Sequence, residues 1–194
     1  MRATDIARNL HFEFFTSASE VEVDQLEACV DIIEETAGSD YKNSSIGWNR
    51  SDKLEEMKDK DMMYLFIRKS DAHEDDKTSS WPHSILGFLS FMFTRDDPPH
   101  QDREVVYIYE IHLHESLRGQ GLGSRLIEVV ETTAQLEDVS KTMLTVFTNN
   151  LAAEKLYRKL GYVKDACSPE DKKRKTREVE KIIKADYMIM SKEL

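Results

Sequence analysis

The segment that most constrains this chain is Leu117–Ser124, LRGQGLGS, set between a strand-like run and a helical one. The preceding run, Val105–Leu113 (VVYIYEIHL), is the richest in β-branched and aromatic residues. After it, Leu122, Leu126, Val130 and Ala134 recur four apart, which predicts a helix over 123–136. Glycines at 119, 121 and 123 let the backbone approach a ligand closely. A helix start adds unpaired N–H donors and the positive end of a dipole, a combination that suits a pyrophosphate, and Arg118 can add charge. The segment is not a Walker A loop, because Ser124-Arg125 stands where Lys-Ser/Thr is required. It is not a dinucleotide fingerprint either, because Ser124 takes the place of the third glycine.

The rest of the chain reads as an α/β protein around that unit. Strands are expected at 10–19, 62–68, 85–94, 105–113, 142–147, from Tyr162 and at 187–191, and helices at 24–38 and 52–60. The second and third strands make a hairpin across the polar loop 70–83, and 41–50 reads as a loop. Ala153, Leu156, Tyr157 and Leu160 mark one face of a further helix that Gly161 ends. No internal repeat or linker interrupts 1–194, so one domain is expected.

Charge excludes some partners. The net charge is −10, and it is uneven: 165–194 holds 8 Lys/Arg against 7 Asp/Glu, leaving −11 on the first 164 residues. An acidic body disfavours direct nucleic-acid binding and suits a basic partner. Cys29 and Cys167 have neither metal nor redox spacing. The first residues lack the apolar centre of a signal peptide, and no apolar run is long enough to span a membrane. A monomer of a reducing compartment is the simplest expectation.

Two motifs together carry a resemblance. Arg118-Gly-Gln-Gly-Leu-Gly123 matches the R/Q-x-x-G-x-G signature of the GCN5-related N-acetyltransferase (GNAT) superfamily, and VFTNNLAAEKLYRKLGY (146–162) resembles its second signature. The resemblance implies a GNAT fold: a mixed, mostly antiparallel sheet of six to seven strands flanked by about four helices. It implies acetyl-CoA as cofactor, with Arg118, Gly119, Gln120, Gly121, Leu122, Gly123 and Ser124 on the pyrophosphate. The strands 105–113 and 142–147 would splay, and Ile111, His112 and Leu113 would line the pantetheine arm. Asn150 would touch that arm or simply cap its helix, with Asn149 a rival cap. Tyr157 would lie near the CoA sulfur or in the core.

Finer segments resemble the NatD-type N-terminal acetyltransferases that act on histones H-four and H-two-A. They are GWNRSDKLEEM (47–57), YIYEIHL (107–113), MLTVFTNN (143–150) and Ser168-Pro169. Two features depart from that type: the length of the loop around Asp96, and the absence of an aromatic near Ile46. The implied reaction moves an acetyl group to a protein N-terminus, with a basic histone tail as substrate and the cytoplasm and nucleus as location. A lysine or small-amine acetyltransferase and a non-catalytic CoA-binding module are the alternatives.

The reaction needs a group to accept the amine's proton. Glu110 is the only carboxylate in its strand, and partial desolvation there would raise its pKa. His112, on the same face, is the rival base. The resemblance pairs Tyr109 with Glu110. Strict alternation would put the two on opposite faces unless a β-bulge intervenes. Tyr41, Trp48 and Tyr107 are candidates to line the peptide's path. Asp96 and Asp97 are candidates to pair with a substrate Arg. His73, Glu74, Asp75 and Asp76 lack ligand spacing and read as a solvated loop, so no metal is expected. The basic run 172–184 reads as a solvated loop or helix that could approach the CoA phosphates or DNA.

Overall fold

The computed structural model describes residues 10–70, 85–175 and 180–194. The strands are β1 (Leu10–Phe15), β2 (Met63–Lys69), β3 (Ile85–Arg95), β4 (Glu104–Leu113), β5 (Lys141–Phe147), β6 (Val163–Lys164), β7 (Lys172–Lys175), β8 (Glu180–Ile183) and β9 (Tyr187–Glu193). The helices are α1 (Val23–Lys42), α2 (Arg50–Met57), α3 (Leu122–Leu136) and α4 (Leu151–Lys159). Seven strands form one sheet in the order β1-β2-β3-β4-β5-β9-β6, and β7 pairs with β8 alone. Among the described strands of this sheet, only β4 and β5 pair in parallel.

The sheet is buried on both faces, and strand alternation divides the core. Leu65 and Ile67 of β2 face Leu126, Ile127, Val130 and Tyr157 of α3 and α4. Tyr64 and Phe66 face Leu26, Ile33 and Met57 of α1 and α2. The fold is therefore the mixed, mostly antiparallel α/β architecture expected, with four helices in two layers.

Several boundaries differ from the sequence reading: the first strand ends at Phe15 and not at 19, the second helix covers 50–57 and not 52–60, and two further differences have identifiable reasons. Gly38 does not end α1, which runs on to Lys42. The extra turn is held because buried Tyr41 packs on Trp48 at 5.3 Å and edge-on to Phe147 at 4.9 Å. Tyr41 thus sits on a helix, not in a loop. The basic run 172–184 contains the β7–β8 pair, registered Lys172↔Ile183 to Lys175↔Glu180. The loop containing His73, Glu74, Asp75 and Asp76 lies outside the described residues.

Lys141, at the start of β5, is 6% exposed and lies 2.8 Å from both Asp96 and Asp165. Burial works against its charge, but the two carboxylates outweigh that and keep it protonated. Removing the cation leaves two buried acids uncompensated, whereas removing Asp96 leaves Lys141 with Asp165. We therefore expect Lys141→Met to lower stability by about 3–5 kcal/mol, and Asp96→Asn by about 1–3 kcal/mol. Urea unfolding midpoints check the order, and equal or negligible losses would contradict it.

Candidate active site

The site is a gap in the sheet. β4 and β5 are registered only from Val106↔Thr142 to Ile108↔Leu144. Beyond Ile108 the strands part. β3 keeps its pairing with β4 throughout, but Ser90 opposes Glu110 while Phe91 opposes Ile108. Tyr109 is the additional residue of a β-bulge, which turns Tyr109 and Glu110 toward one cavity instead of opposite faces. The cavity, about 300 Å³, lies between the parted strands. Both helical layers reach it: Tyr41, Lys53 and Glu56 from one side, Asn150, Ala153 and Tyr157 from the other. On the β4 edge that faces the gap, the backbone from Ile111 onward has no β5 partner.

Glu110 is the chemical centre. Its side chain is 6% exposed. Oε1 accepts from the Tyr41 hydroxyl at 2.8 Å and from Lys53 Nζ at 3.0 Å. Oε2 lies 2.7 Å from His112 Nε2, whose ring also meets Thr36 Oγ1 at 2.6 Å through Nδ1 and stacks on Phe88. Burial alone would raise the Glu110 pKa, as the sequence reading expected. The His112 hydrogen bond and the charge of Lys53 overturn that and hold it at about 2. With both ring nitrogens engaged, His112 is a partner of Glu110 and not an independent base.

The other sequence candidates divide. Tyr107 lines the cavity, bonds Thr145 Oγ1 at 2.5 Å and packs against Tyr109 at 5.3 Å. Trp48 reaches the cavity only through Tyr41. Asn150 caps α4, accepting from the Ala153 N–H at 3.1 Å, and also lines the cavity. Tyr157 is buried in the core yet lines the cavity. Ile111 and His112 line it too, whereas the Leu113 carbonyl accepts from Arg118 Nε at 2.8 Å and its side chain packs against the core.

Asp96 does not serve as expected: its side chain, 2% exposed, is committed to Lys141 and to the Asp97 N–H. Asp97 stays exposed and is close enough for its charge to raise the Tyr107 pKa, behind the larger effect of burial. Burial, and after it Asp165 and Asp97, push the Cys167 thiol pKa up to about 12.

The glycine segment forms the turn into α3. Gly119 and Gly121 have φ of 72° and 80°, the left-handed region that favours glycine. The first turn of α3 is closed by Arg125 N–H bonding the Gly121 carbonyl at 3.2 Å, so the N–H groups of Leu122, Gly123 and Ser124 precede the helical ladder. Gln120 is tied back to the Ser116 carbonyl at 2.7 Å. Exposed backbone donors, a helix start and the exposed Arg118 fit a pyrophosphate.

Sequence reasoning missed Lys53, Glu56 and Thr36. Lys53 lay within a quoted segment, but a lysine in a charged helix reads as solvated. Its one signal was position, next to Leu54 and four residues before the buried Met57.

A strand-parted cavity beside a glycine-turned helix start could seat an extended cofactor arm and its phosphates, and residues 30–162 match the Acetyltransferase (GNAT) family. The chain belongs to that family, whose acetyl donor is acetyl-CoA. N-alpha-acetyltransferase 40 of Saccharomyces cerevisiae (strain ATCC 204508 / S288c) is 31% identical over 165 residues, covering 74% of this chain and 53% of that protein. The uncharacterized N-acetyltransferase YdgE of Bacillus subtilis (strain 168) is 31% identical over 74 residues, covering 38% of this chain and 46% of that one. The chain thus spans about half the length of these curated relatives. Among solved structures, Arabidopsis thaliana NAA60 with a bisubstrate analogue superposes at a TM-score of 0.62 and 13% identity, covering 95% of this chain and 99% of that one. A chain of the NatC complex bound to Gag peptide and CoA gives 0.58 and 16%, covering 96% and 99%. These likenesses are of fold.

Two outcomes follow. Gly121→Asp puts a carboxylate and a left-handed non-glycine residue at the helix start. The strain costs roughly 1–2 kcal/mol of stability, and the carboxylate repels the pyrophosphate, so calorimetry should show acetyl-CoA affinity falling by about 10-fold or more while the protein stays folded. Unchanged affinity would refute the assignment of the loop. For Glu110, a folded-state pKa held below the unfolded value adds stability that is complete above the ordinary carboxylate range. That contribution is lost as pH falls through about 2. The stability gap between wild type and Glu110→Gln, measured by urea unfolding, should therefore be widest near neutrality and narrow as the solution is acidified.

Proposed function

We propose that this chain acetylates the N-terminal amine of a protein, and that its substrate is a basic tail beginning Ser-Gly-Arg-Gly-Lys, as histones H-four and H-two-A do. The observation that carries the reading is the buried Glu110 at the centre of a cavity reached from both helical layers. One side offers the acetyl donor and the other the amine. Similarity to N-alpha-acetyltransferase 40 supports an N-terminal over a side-chain amine. The acidic body, with Asp97 exposed beside Tyr107, supports a basic tail. The chain 1–194 acts in this reading as one catalytic domain, a monomer of cytoplasm and nucleus.

In this reading Tyr109 and Glu110 are the catalytic residues, and Tyr41, Tyr107 and Trp48 shape the peptide's path. Glu110 orients the amine with its lone pair toward the thioester carbonyl. As the C–N bond forms, the nitrogen becomes far more acidic than a free ammonium. Glu110, weak base though it is, then accepts a proton and passes it on. Ile111 and His112 line the pantetheine arm, and Arg118 to Ser124 hold the pyrophosphate.

The test is kcat/KM with acetyl-CoA for the free Ser-Gly-Arg-Gly-Lys peptide, beside the same peptide N-blocked with its lysine free. The free peptide should be the better substrate. Glu110→Gln should lower its turnover by about 10²–10⁴-fold, the range for losing a positioned proton acceptor. Peptide Arg-to-Ala and enzyme Asp97→Ala should each cost about 10-fold, and their combination little more, because a charge-assisted bond is worth about 1.5–3 kcal/mol. Preference for the N-blocked peptide would move the reading to a lysine acetyltransferase. Additive losses would show that Asp97 does not read the Arg.

A further inference from the structure

Lys53 is the feature of the site that the proposed reaction does not yet use. Its Nζ lies 3.0 Å from Glu110 Oε1 and 2.7 Å from Glu56 Oε1, and 5.1 Å from the centre of the Tyr41 ring. Its side chain is 11% exposed and lines the cavity. A lysine tied only to surface acids would be solvated. This one points inward from α2 onto the oxygen of Glu110 that faces the same space.

The position has a chemical consequence. A protein N-terminus in water is largely ammonium near neutrality, and an ammonium has no lone pair with which to attack. A buried carboxylate standing alone beside it would hold it as an ion pair and raise its pKa, since an opposite charge within ~4–6 Å favours the charged form. That trap would bind peptide well and turn it over poorly. A fixed cation on the same carboxylate oxygen removes that attraction.

We propose that Lys53 is a positioning residue whose charge neutralises Glu110, so that the peptide amine is held beside it as the free base and not as an ammonium. The inference rests on the proposed use of this cavity for an amine. The ammonium gives its proton to water on docking. The nitrogen lone pair then forms the C–N bond, the C–S bond to CoA breaks, and the nitrogen's second proton leaves with the thiol by way of Glu110. The groups facing this centre come from every packed element. They are Tyr41 of α1, Glu56 of α2, Tyr64 of β2, Tyr109, Glu110 and His112 of β4, and Tyr157 of α4. Burial opposes the charge on Lys53, yet Glu110, Tyr41 and Glu56 more than offset this and keep it protonated.

Lys53→Gln keeps a hydrogen-bond donor for Glu110 and removes the charge, whereas Lys53→Arg keeps the charge. With the free peptide, Lys53→Gln should lower kcat about 10-fold, leave KM unchanged or lower, and move the acid limb of kcat up by about 1 pH unit, the small end of the effect of one nearby charge. Lys53→Arg should restore the limb. A ¹⁵N-labelled N-terminal nitrogen in the complex with CoA gives an independent readout. In wild type its titration midpoint should lie at or below the free value of about 7.7–8.0, and in Lys53→Gln above it. A lost kcat with an unmoved limb, or a wild-type midpoint above the free value, would overturn the inference. The wild-type titration decides even if Lys53→Gln fails to fold. If wild type acetylates only the N-blocked lysine peptide, the proposed substrate fails but the same pH series on that amine still tests Lys53.

Discussion

The separation of β4 from β5 is the constraint on which the rest of this structure depends. The interior of a sheet packed on both faces has no natural opening, because each inner strand is paired on both sides and covered by helices. Here the ladder between the two parallel strands stops at Ile108↔Leu144, while β4 stays paired to β3 and β5 to β9. The bulge at Tyr109 lets the pairing on one side continue while the other side opens. One irregularity thus creates the cavity, exposes a backbone edge and turns two adjacent side chains into the same space. It also joins the α1–α2 layer to the α4 layer, so two ligands can approach from opposite sides of one sheet.

An opening in a core carries an energetic problem, because the groups that line it lie between water and hydrocarbon. Glu110 shows how this chain meets it. An isolated buried carboxylate would neutralise itself by taking up a proton. Tyr41, Lys53 and His112 supply three donors to its two oxygens and keep it ionised. Each comes from a different part of the fold, so the charge state of one residue depends on α1, α2 and β4 packing together. A buried ionic cluster of this kind is seldom the most stable filling of a core. Its presence at the point where the sheet opens supports a chemical role.

How much of this could be read from sequence depended on whether a residue's surroundings are local. The glycine turn, its helix and the strand before it are contiguous, and the structure has them as the spacing implied. Glu110 stands out because it interrupts an apolar strand, whereas the bulge is only one possibility in the sequence, raised by the resemblance that pairs Tyr109 with Glu110 and not by the strand itself. The Glu110 pKa differs from the sequence reading because desolvation is visible in its own strand, whereas His112 reads there as a rival base and not as its hydrogen-bond partner, and Lys53 is 57 residues away. Gly38 gave the wrong helix end for a similar reason, since the contacts that extend α1 come from Trp48 and Phe147. The basic stretch 172–184 carried no alternation that distinguished paired strands from a loop.

Asp96 and Asp97 show why composition alone cannot identify the acids that meet a substrate. Their adjacent side chains have opposite fates. Asp96 is drawn to buried Lys141, which also takes Asp165, so both side chains are committed within the fold. Asp97 remains at the surface near Tyr107. The same sorting applies along the chain: Glu110 is matched by Lys53 and His112, Glu131 by Lys192, and Glu13 by Arg68. A carboxylate already matched within the fold has little attraction left for an arriving arginine, because the Coulomb gain would come at the expense of an existing pair. Asp97, exposed beside Tyr107, is the one of the pair whose charge stays turned toward solvent.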